Sequence, residues 1–257
     1  MTGENLSSTD LPVIQSLWLG PSLSTLEQTA LQSFLHHGHE FHLYVYEEVK
    51  NVPDSVLLKD AEQILPASRI FKYKHFDSYA GFANLFRYAL LLEKGHFWVD
   101  TDVVCLRPFE KRRCYLATER VRGSTHLIKA ANAIMCAEPG HEIIEYCFDY
   151  ANSVNPDDLK WGQTGPSLVT RAINHFKAFE YFAEPEIFCP IDWWSWHQAL
   201  SVSPPDNRLQ ESWAVHLWHE LWRRNGVDKL DDFPISSLIE RFRRGEYVAD
   251  SQKVTRE

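Results

Sequence analysis

Residues 82–110 read FANLFRYALLLEKGHFWVDTDVVCLRPFE, and this stretch decides which fold the sequence predicts. Its first part is apolar nearly all round, which predicts a buried helix over 79–94. Ser78 can cap the start of this helix, and Gly95 can end it in the left-handed conformation. Residues 96–99 then read as a short buried strand. A helix that leads directly into a strand is typical of an α/β unit.

The same alternation of strands and helices runs through the first hundred residues. It favours a mostly parallel central sheet flanked by helices, with the ligand crevice beyond the carboxyl ends of the strands. The predicted strands are 12–19, 41–46, 69–73, 96–99 and 128–137, and the predicted helices are 22–36, 79–94, 139–153, 166–177 and an amphipathic 234–244 that uses Ile235, Leu238, Ile239 and Phe242.

Length and composition indicate one domain over 1–257, with a packing or lid helix within 226–257. The net charge of −9 argues against a nucleic-acid partner, since binding to a phosphate backbone requires a basic surface. We expect no signal peptide and no transmembrane segment. Five widely spaced cysteines without a CxxC pair indicate reduced, buried thiols in a cytoplasmic protein.

Two carboxylates, Asp100 and Asp102, follow the strand at 96–99. In an extended chain residues i and i+2 point the same way, so both side chains can face one cation. Oxygen ligands of this kind select magnesium, manganese or calcium. Such an ion can neutralise a pyrophosphate as it leaves a sugar. By itself the DxD spacing is a weak signal, because two solvated aspartates in a turn are more common.

The surrounding motifs strengthen that signal. The 82–110 stretch resembles the DXD region of the sugar-transferase family that includes glycosyltransferase family 32, the α-1,4-glycosyltransferases and the catalytic domains of large clostridial glucosylating toxins. Further similar segments follow the family's order: IQSLWLG, NAIMCAEPGHE, TGPSLVT and AVHLWHELW. The resemblance implies a GT-A-like, Rossmann-like α/β domain with a C-terminal helical part. It also implies a retaining glycosyltransferase that requires Mn²⁺ or Mg²⁺. The implied donor is a nucleoside-diphosphate sugar (UDP-sugar favoured), and the implied acceptor is a glycan or another hydroxyl compound. The implied setting is bacterial surface polysaccharide synthesis.

The resemblance also implies a role for individual residues. The implied roles are metal binding by Asp102 and His216, catalysis by Asp100, Arg87 and Trp222, and donor binding by Trp18, Asn84, Arg87, Asp100, Asn132 and Gly165. The residue types suit these roles: imidazole is a competent manganese ligand, and an aromatic face can stack on a base. An arginine in an apolar helix is costly unless it is paired. From the residues alone, a core tryptophan, a structural salt bridge and a satisfied core histidine are alternative explanations for Trp18, Arg87 and His216.

This chain departs from the family pattern in the DXD helix. Ala83 and Asn84 replace the usual Ser-Asp pair, and His96 replaces a second glycine after Gly95. Asn84 and Arg87 share a helix face, so Asn84 should still point into the site, but an amide supplies no negative charge. This substitution leaves open a catalytically weakened relative that binds a nucleotide or glycan. A DxD phosphohydrolase is a further alternative, although there the pair normally follows the first strand.

Overall fold

The computed structural model describes residues 11–124, 126–201 and 209–247. Expectations about the amino terminus (1–10) and the last residues (248–257) lie outside these ranges. The strands are β1 Ile14–Trp18, β2 Phe41–Val45, β3 Leu57–Asp60, β4 His96–Val99, β5 Val103–Cys105, β6 Cys114–Arg120, β7 Ile128–Ala137 and β8 Ala214–His216. The helices are α1 Thr25–His36, α2 Ala80–Lys94, α3 Glu142–Ser153, α4 Pro166–Phe176, α5 Pro185–Phe188, α6 His219–Arg224 and α7 Leu238–Arg243.

Six strands form one mixed, mostly parallel sheet in the order β3-β2-β1-β4-β7-β6. The first four of these strands pair in parallel, and β7 is antiparallel to both β4 and β6. β5 and β8 form a separate antiparallel pair. This architecture confirms the predicted α/β class.

Helices cover both faces of the sheet. Phe97 and Val99 of β4 pack in the cluster that contains α1, whereas Trp98 packs in the cluster that contains α2, α3 and α4. Successive strand residues point to opposite faces, so β4 contributes to both clusters. A sheet buried on both faces explains why its inner strands are almost continuous apolar runs.

Most predicted elements are confirmed, but the strand predicted at 69–73 is wrong. Residues 67–69 form a 3₁₀ turn, and the third strand is β3 instead. Leu57 and Leu58 in β3 are 42% and 48% exposed. An exposed edge strand has no buried face, so it lacks the alternation that sequence analysis relies on.

The two ends of α2 and the start of β4 show how the chain turns into the DXD strand. Ser78 Oγ accepts a hydrogen bond from the Ala80 N–H at 3.3 Å, but the N-cap residue is Tyr79, so the predicted cap lies one residue too early. Gly95 ends the helix with a φ of 67°, but its ψ of −144° is not the predicted left-handed helical value. A Cβ at Gly95 would lie 2.7 Å from Pro139 Cδ, so the position also lacks space. His96 follows with a φ of 70°.

The C-terminal helix α7 is shorter than predicted. Leu238, Ile239 and Phe242 enter the core as expected, but Ile235 precedes the helix and is 76% exposed. The helix starts where the Ser237 hydroxyl accepts from the Glu240 N–H. All five cysteines are buried free thiols, as predicted. Across the described ranges, every helix falls short of the length and apolarity that a bilayer span requires.

Candidate active site

A cavity of about 760 Å³ opens at the carboxyl ends of β1 and β4. This is the edge of the sheet where the predicted crevice should lie. Seven of the nine residues predicted for the site line it: Trp18, Asn84, Arg87, Asp100, Asp102, Asn132 and His216. The sheet topology therefore gathers residues that are up to two hundred positions apart in sequence.

Asp100 and Arg87 form an ion pair at the end of β4. Arg87 Nη2 donates to Asp100 Oδ1 at 2.6 Å, and the indole N–H of Trp98 donates to the same oxygen at 2.8 Å. Arg87 also donates to the backbone carbonyl of Asn132. Its guanidinium lies 4.8 Å from the centre of the Trp98 ring. The arginine is only 3% exposed, and these partners offset the cost of burying its charge.

Asp102 and His216 form a second pair, which the β5–β8 ladder creates. Val103 pairs with His216 across this ladder, so the imidazole lies beside the residue before Val103. His216 Nε2 is 3.4 Å from Asp102 Oδ2. The same carboxylate oxygen accepts the backbone N–H of His219 at 2.8 Å, where α6 begins.

Burial and mutual charge shift the pKa values of these groups. Burial raises the pKa of Asp100, and the Arg87 charge offsets this only in part. Burial would also raise the pKa of Asp102, but the charge and hydrogen bond of His216 outweigh it and lower this pKa. Conversely, burial would lower the pKa of His216, but Asp102 holds it well above the usual range. Without a metal, the second pair is therefore an ion pair at neutral pH.

Asp100, Asp102 and His216 fit a divalent cation. One ligand atom from each lies within 4.8 Å of the other two. Two carboxylates and one imidazole form a donor set that suits Mn²⁺ or Mg²⁺ and not a thiolate-preferring metal. A cation bound here would replace the proton that His216 carries in the ion pair.

Two asparagines line the cavity beside Arg87. Asn132 Nδ2 donates to Asn84 Oδ1 at 2.7 Å, and Asn84 Nδ2 donates to Thr164 Oγ1 at 3.4 Å. A Cβ at Gly165 would lie 3.3 Å and 3.4 Å from the amide nitrogens of Asn84 and Asn132. Gly165 therefore lets the α4 start approach these amides closely, which is a packing role next to the cavity.

The opposite end of the cavity is built around Trp18. Its half-buried ring lines the cavity, and the Lys229 ammonium lies 5.4 Å from the ring centre. Lys229 in turn donates to the buried carboxylate of Glu27 at 2.6 Å. We call Trp18, Lys229 and Glu27 the nucleoside end, and the Asp100, Asp102 and His216 set the metal end.

The comparisons with known proteins agree with this geometry. Residues 24–121 match the family described as "Glycosyltransferase sugar-binding region containing DXD motif", and residues 136–242 match the "Alpha 1,4-glycosyltransferase conserved region". The chain is therefore similar to DXD-motif sugar transferases over both regions. Between them, the two matched regions contain five of the seven predicted residues that line the cavity, all except Trp18 and Asn132.

Two human relatives are 27% identical to this chain over 149 residues. They are an alpha-1,4-N-acetylglucosaminyltransferase and a lactosylceramide 4-alpha-galactosyltransferase, and each match includes 52% of this chain. The match covers 41% and 40% of the respective relative, so the chain spans about two fifths of their length. A solved structure, "PaToxG Glycosyltransferase", is similar over 93% of this chain and 88% of that chain, with 12% identity and a TM-score of 0.47. That similarity is too weak to bear on function.

Trp222 is not where the sugar-transferase resemblance implied. It is fully buried in the core, does not line the cavity, and packs its ring against His219 and Phe233. This position gives no support to the expected donation of its ring N–H to a diphosphate, which stays a prediction. Among the described residues that N–H has no hydrogen-bond partner.

Sequence reasoning missed several residues that line this cavity. Lys229 lies in the irregular segment between α6 and α7, where no periodicity marks it. Glu27 was not recognised as a cavity residue, because its part in a capping box with Ser24 at the start of α1 already explains it. Trp161 lines the mouth and stacks against Arg224 of α6 at 4.0 Å. The signal that could have found these residues is long-range contact, which one sequence does not contain.

Proposed function

We propose that this chain is a metal-dependent glycosyltransferase that moves a sugar from a nucleoside-diphosphate sugar to a hydroxyl acceptor. The observation that carries the proposal is the convergence of Asp100, Asp102 and His216 within 4.8 Å in a cavity that Trp18 also lines. A metal ligand set and an aromatic ring at two ends of one cavity suit a molecule with a diphosphate and a base.

At the metal end, Asp102 and His216 would hold Mn²⁺ or Mg²⁺. When bound, the cation supplies positive charge that stabilises the leaving diphosphate. Arg87 adds a second positive charge that cannot be lost by deprotonation. Asp100 is oriented by Arg87 and Trp98, so its second carboxylate oxygen is positioned for the cation or for donor hydroxyls.

Trp18 would stack on the base, while Asn84 and Asn132 would hydrogen-bond the donor sugar. Amide groups both donate and accept, which suits sugar hydroxyls. Galactose and N-acetylglucosamine, the sugars in the relatives' names, are carried by uridine diphosphate, and this favours a UDP-sugar donor. The names also specify α-linked products, which favours retention of the anomeric configuration and a glycan acceptor.

The proposed setting is bacterial surface polysaccharide synthesis in the cytoplasm. Five buried, reduced thiols support a reducing compartment. The polysaccharide role follows from the family resemblance alone.

Asn84 keeps a second function open, which is nucleotide or glycan binding without efficient turnover. Its amide already bonds Asn132 and Thr164, and it contributes no negative charge near the donor. The phosphohydrolase alternative is disfavoured, because there the carboxylate pair normally follows the first strand, whereas Asp100 and Asp102 follow β4.

Calorimetry with uridine and guanosine diphosphates and their sugars, with and without Mn²⁺, tests the proposal. We expect metal-dependent binding of one nucleotide, and a loss of about 100-fold or more in Asp102→Ala, which removes a metal ligand. Asp54→Ala, which removes an exposed carboxylate, should bind like the wild type. A folded wild type that binds no nucleotide in the presence of Mn²⁺ refutes the donor site. Release of free sugar or a glycoside from the bound donor separates an enzyme from a binding relative.

A further inference from the structure

The nucleoside end contains a charged pair that the proposed reaction does not use. Glu27 is 2% exposed, in a cavity wall beside the half-buried Trp18. One carboxylate oxygen of Glu27 accepts the Ser24 N–H at 2.8 Å, and the other accepts Lys229 Nζ at 2.6 Å. A carboxylate buried this deeply needs both partners, because burying an unpaired charge is costly.

The hydrogen bonding of the pair leaves Glu27 saturated and Lys229 available. A lysine ammonium carries three donors, and Glu27 is its only hydrogen-bond partner among the described residues. Its side chain is 23% exposed and lines the cavity. Lys229 therefore has donors free to meet a ligand, while Glu27 can only hold the lysine in place.

The position of Lys229 points to the base of the ligand. Its ammonium lies 5.4 Å from the centre of the Trp18 ring, the face that would receive a stacked base. The Lys229 backbone is fixed as well, since its carbonyl accepts Arg243 Nη2 of α7 at 2.7 Å. A cation held over the face of the Trp18 ring meets the polar groups of a base that approaches that face.

We propose that Lys229, positioned by Glu27, is a specificity-determining residue that selects a base with a carbonyl group over one with an amino group. This inference rests on the proposed donor site. An ammonium has donors and no acceptor, so it attracts the carbonyl oxygen that uracil or guanine presents. Cytosine and adenine present an amino group at the corresponding position, and two donors facing each other repel. The selected donors are therefore uridine or guanosine diphosphate sugars.

The test compares matched nucleotides on a charge-neutral variant. Removing Lys229 alone would leave Glu27 buried and unpaired, so the variant is Glu27→Gln with Lys229→Met, whose Gln amide oxygen can still accept from Ser24. Calorimetry with Mn²⁺ measures uridine and cytidine diphosphate binding, and guanosine and adenosine diphosphate as a second pair. Glu93→Gln with Lys94→Met, an exposed ion pair on the end of α2, is the control. Melting curves verify that both variants fold.

We expect the wild type to prefer the carbonyl base of a pair by about tenfold or more, as one charge-assisted hydrogen bond allows. The Glu27/Lys229 variant should bind that nucleotide about tenfold more weakly, and its amino counterpart less than about twofold more weakly. The preference for the carbonyl base should therefore disappear. Equal losses for both nucleotides would place Lys229 on the diphosphate and overturn the inference, as would an unchanged preference. In either case metal-dependent binding by the wild type still supports the proposed function. A wild type that binds no nucleotide overturns both.

Discussion

The metal end and the nucleoside end of the cavity are built differently. At the metal end, Asp100 and Asp102 follow strand β4 directly, and Arg87 and His216 balance their charges from neighbouring elements. The nucleoside end also begins at a strand end, but its cation comes from an irregular segment far along the chain. The metal end is therefore set by regular structure, whereas the nucleoside end depends on how one loop meets the sheet.

Because of this difference, substitutions in the two parts of the cavity should differ in their effects on stability and on ligand binding. The two buried ion pairs of the metal end lie in the same wall of the cavity. Removing one partner of either pair leaves an uncompensated buried charge, which destabilises the fold. The half-buried Trp18 ring faces open space, so its removal mainly removes a surface for a ligand. Variants of the ion pairs at the metal end should alter both folding and binding, and variants of Trp18 should alter binding almost alone.

Arg87→Met should show the largest effect. It leaves Asp100 buried without its cation, and we expect the free energy of unfolding to fall by about 3 kcal/mol. This value is at the low end for buried pairs because the Asp100 side chain is 31% exposed. Urea denaturation without metal measures it. Arg69→Met removes an exposed arginine and should change the free energy of unfolding by less than about 0.5 kcal/mol. Similar values for the two variants would mean that the metal end is not preorganised.

Trp18→Ala should show the reverse pattern. We expect nucleotide affinity to fall by about 1–3 kcal/mol, the usual loss when a stacking ring is removed. The midpoint of urea denaturation should move far less than in Arg87→Met. Trp18→Phe keeps an aromatic face and should retain most of the affinity. A large loss of stability with unchanged nucleotide binding would show that Trp18 is a core residue, as sequence alone allowed.

The metal end should respond to pH, because His216 must lose its proton to bind a cation. Its raised pKa stabilises the metal-free fold fully below the usual histidine value, and this contribution is lost as pH rises through the folded-state pKa. The lowered pKa of Asp102 stabilises the fold above the usual aspartate value, and this contribution is lost as pH falls through the folded-state pKa. At pH values between these two folded-state pKa values, the ion pair of His216 and Asp102 competes with the metal for both side chains.

Mn²⁺ affinity should therefore rise by roughly tenfold per pH unit until pH passes the folded-state pKa of His216. Titration of the wild type with Mn²⁺ at several pH values, in buffers of different ionisation enthalpy, measures both the slope and the released proton. His216→Gln should bind the metal more weakly and with a much smaller slope. An equal slope in that variant would assign the proton to another group. At the nucleoside end we expect no comparable dependence of binding affinity on pH.

The sequence predicted the metal end far better than the nucleoside end, and the reason is physical. β1, α2 and β4 are regular and buried, so their apolar patterns place Trp18, Arg87 and Asp100 at one edge of the sheet. His216 came from the family resemblance, since the three-residue strands β5 and β8 carry no detectable period. Glu27 and Lys229 are 202 residues apart, and nothing local records their contact.

The same limit explains the wrong strand at 69–73 and the unexpected burial of Trp222. β3 is exposed, so its pattern could not separate it from a loop. Trp222 ends the AVHLWHELW motif, but the order of motifs along the chain does not determine which side of a short helix faces the cavity. Burial of that ring depends on Phe233 and α7, which pack from further along the chain.

The smallest expected effect is at His96, at the start of strand β4 and away from Asp100. It tests whether backbone strain at this position affects the metal end. His96 has a φ of 70°, a conformation that costs a non-glycine residue about 1–2 kcal/mol. His96→Gly relieves this cost but adds about 0.5–1 kcal/mol of chain entropy in the unfolded state. The net gain in the free energy of unfolding should be about 0.5 kcal/mol.

Urea denaturation of His96→Gly beside Gly95→Ala makes this small effect measurable, because the two adjacent variants should move in opposite directions. The alanine Cβ would lie 2.7 Å from Pro139 Cδ and 2.9 Å from the Ala137 carbonyl oxygen, so Gly95→Ala should destabilise the fold clearly. Because β4 is held on both sides by β1 and β7, His96→Gly should leave Mn²⁺ affinity unchanged. A change in that affinity would mean that strain at the start of β4 reaches Asp100 and Asp102, and that the metal end is less rigid than its ion pairs indicate.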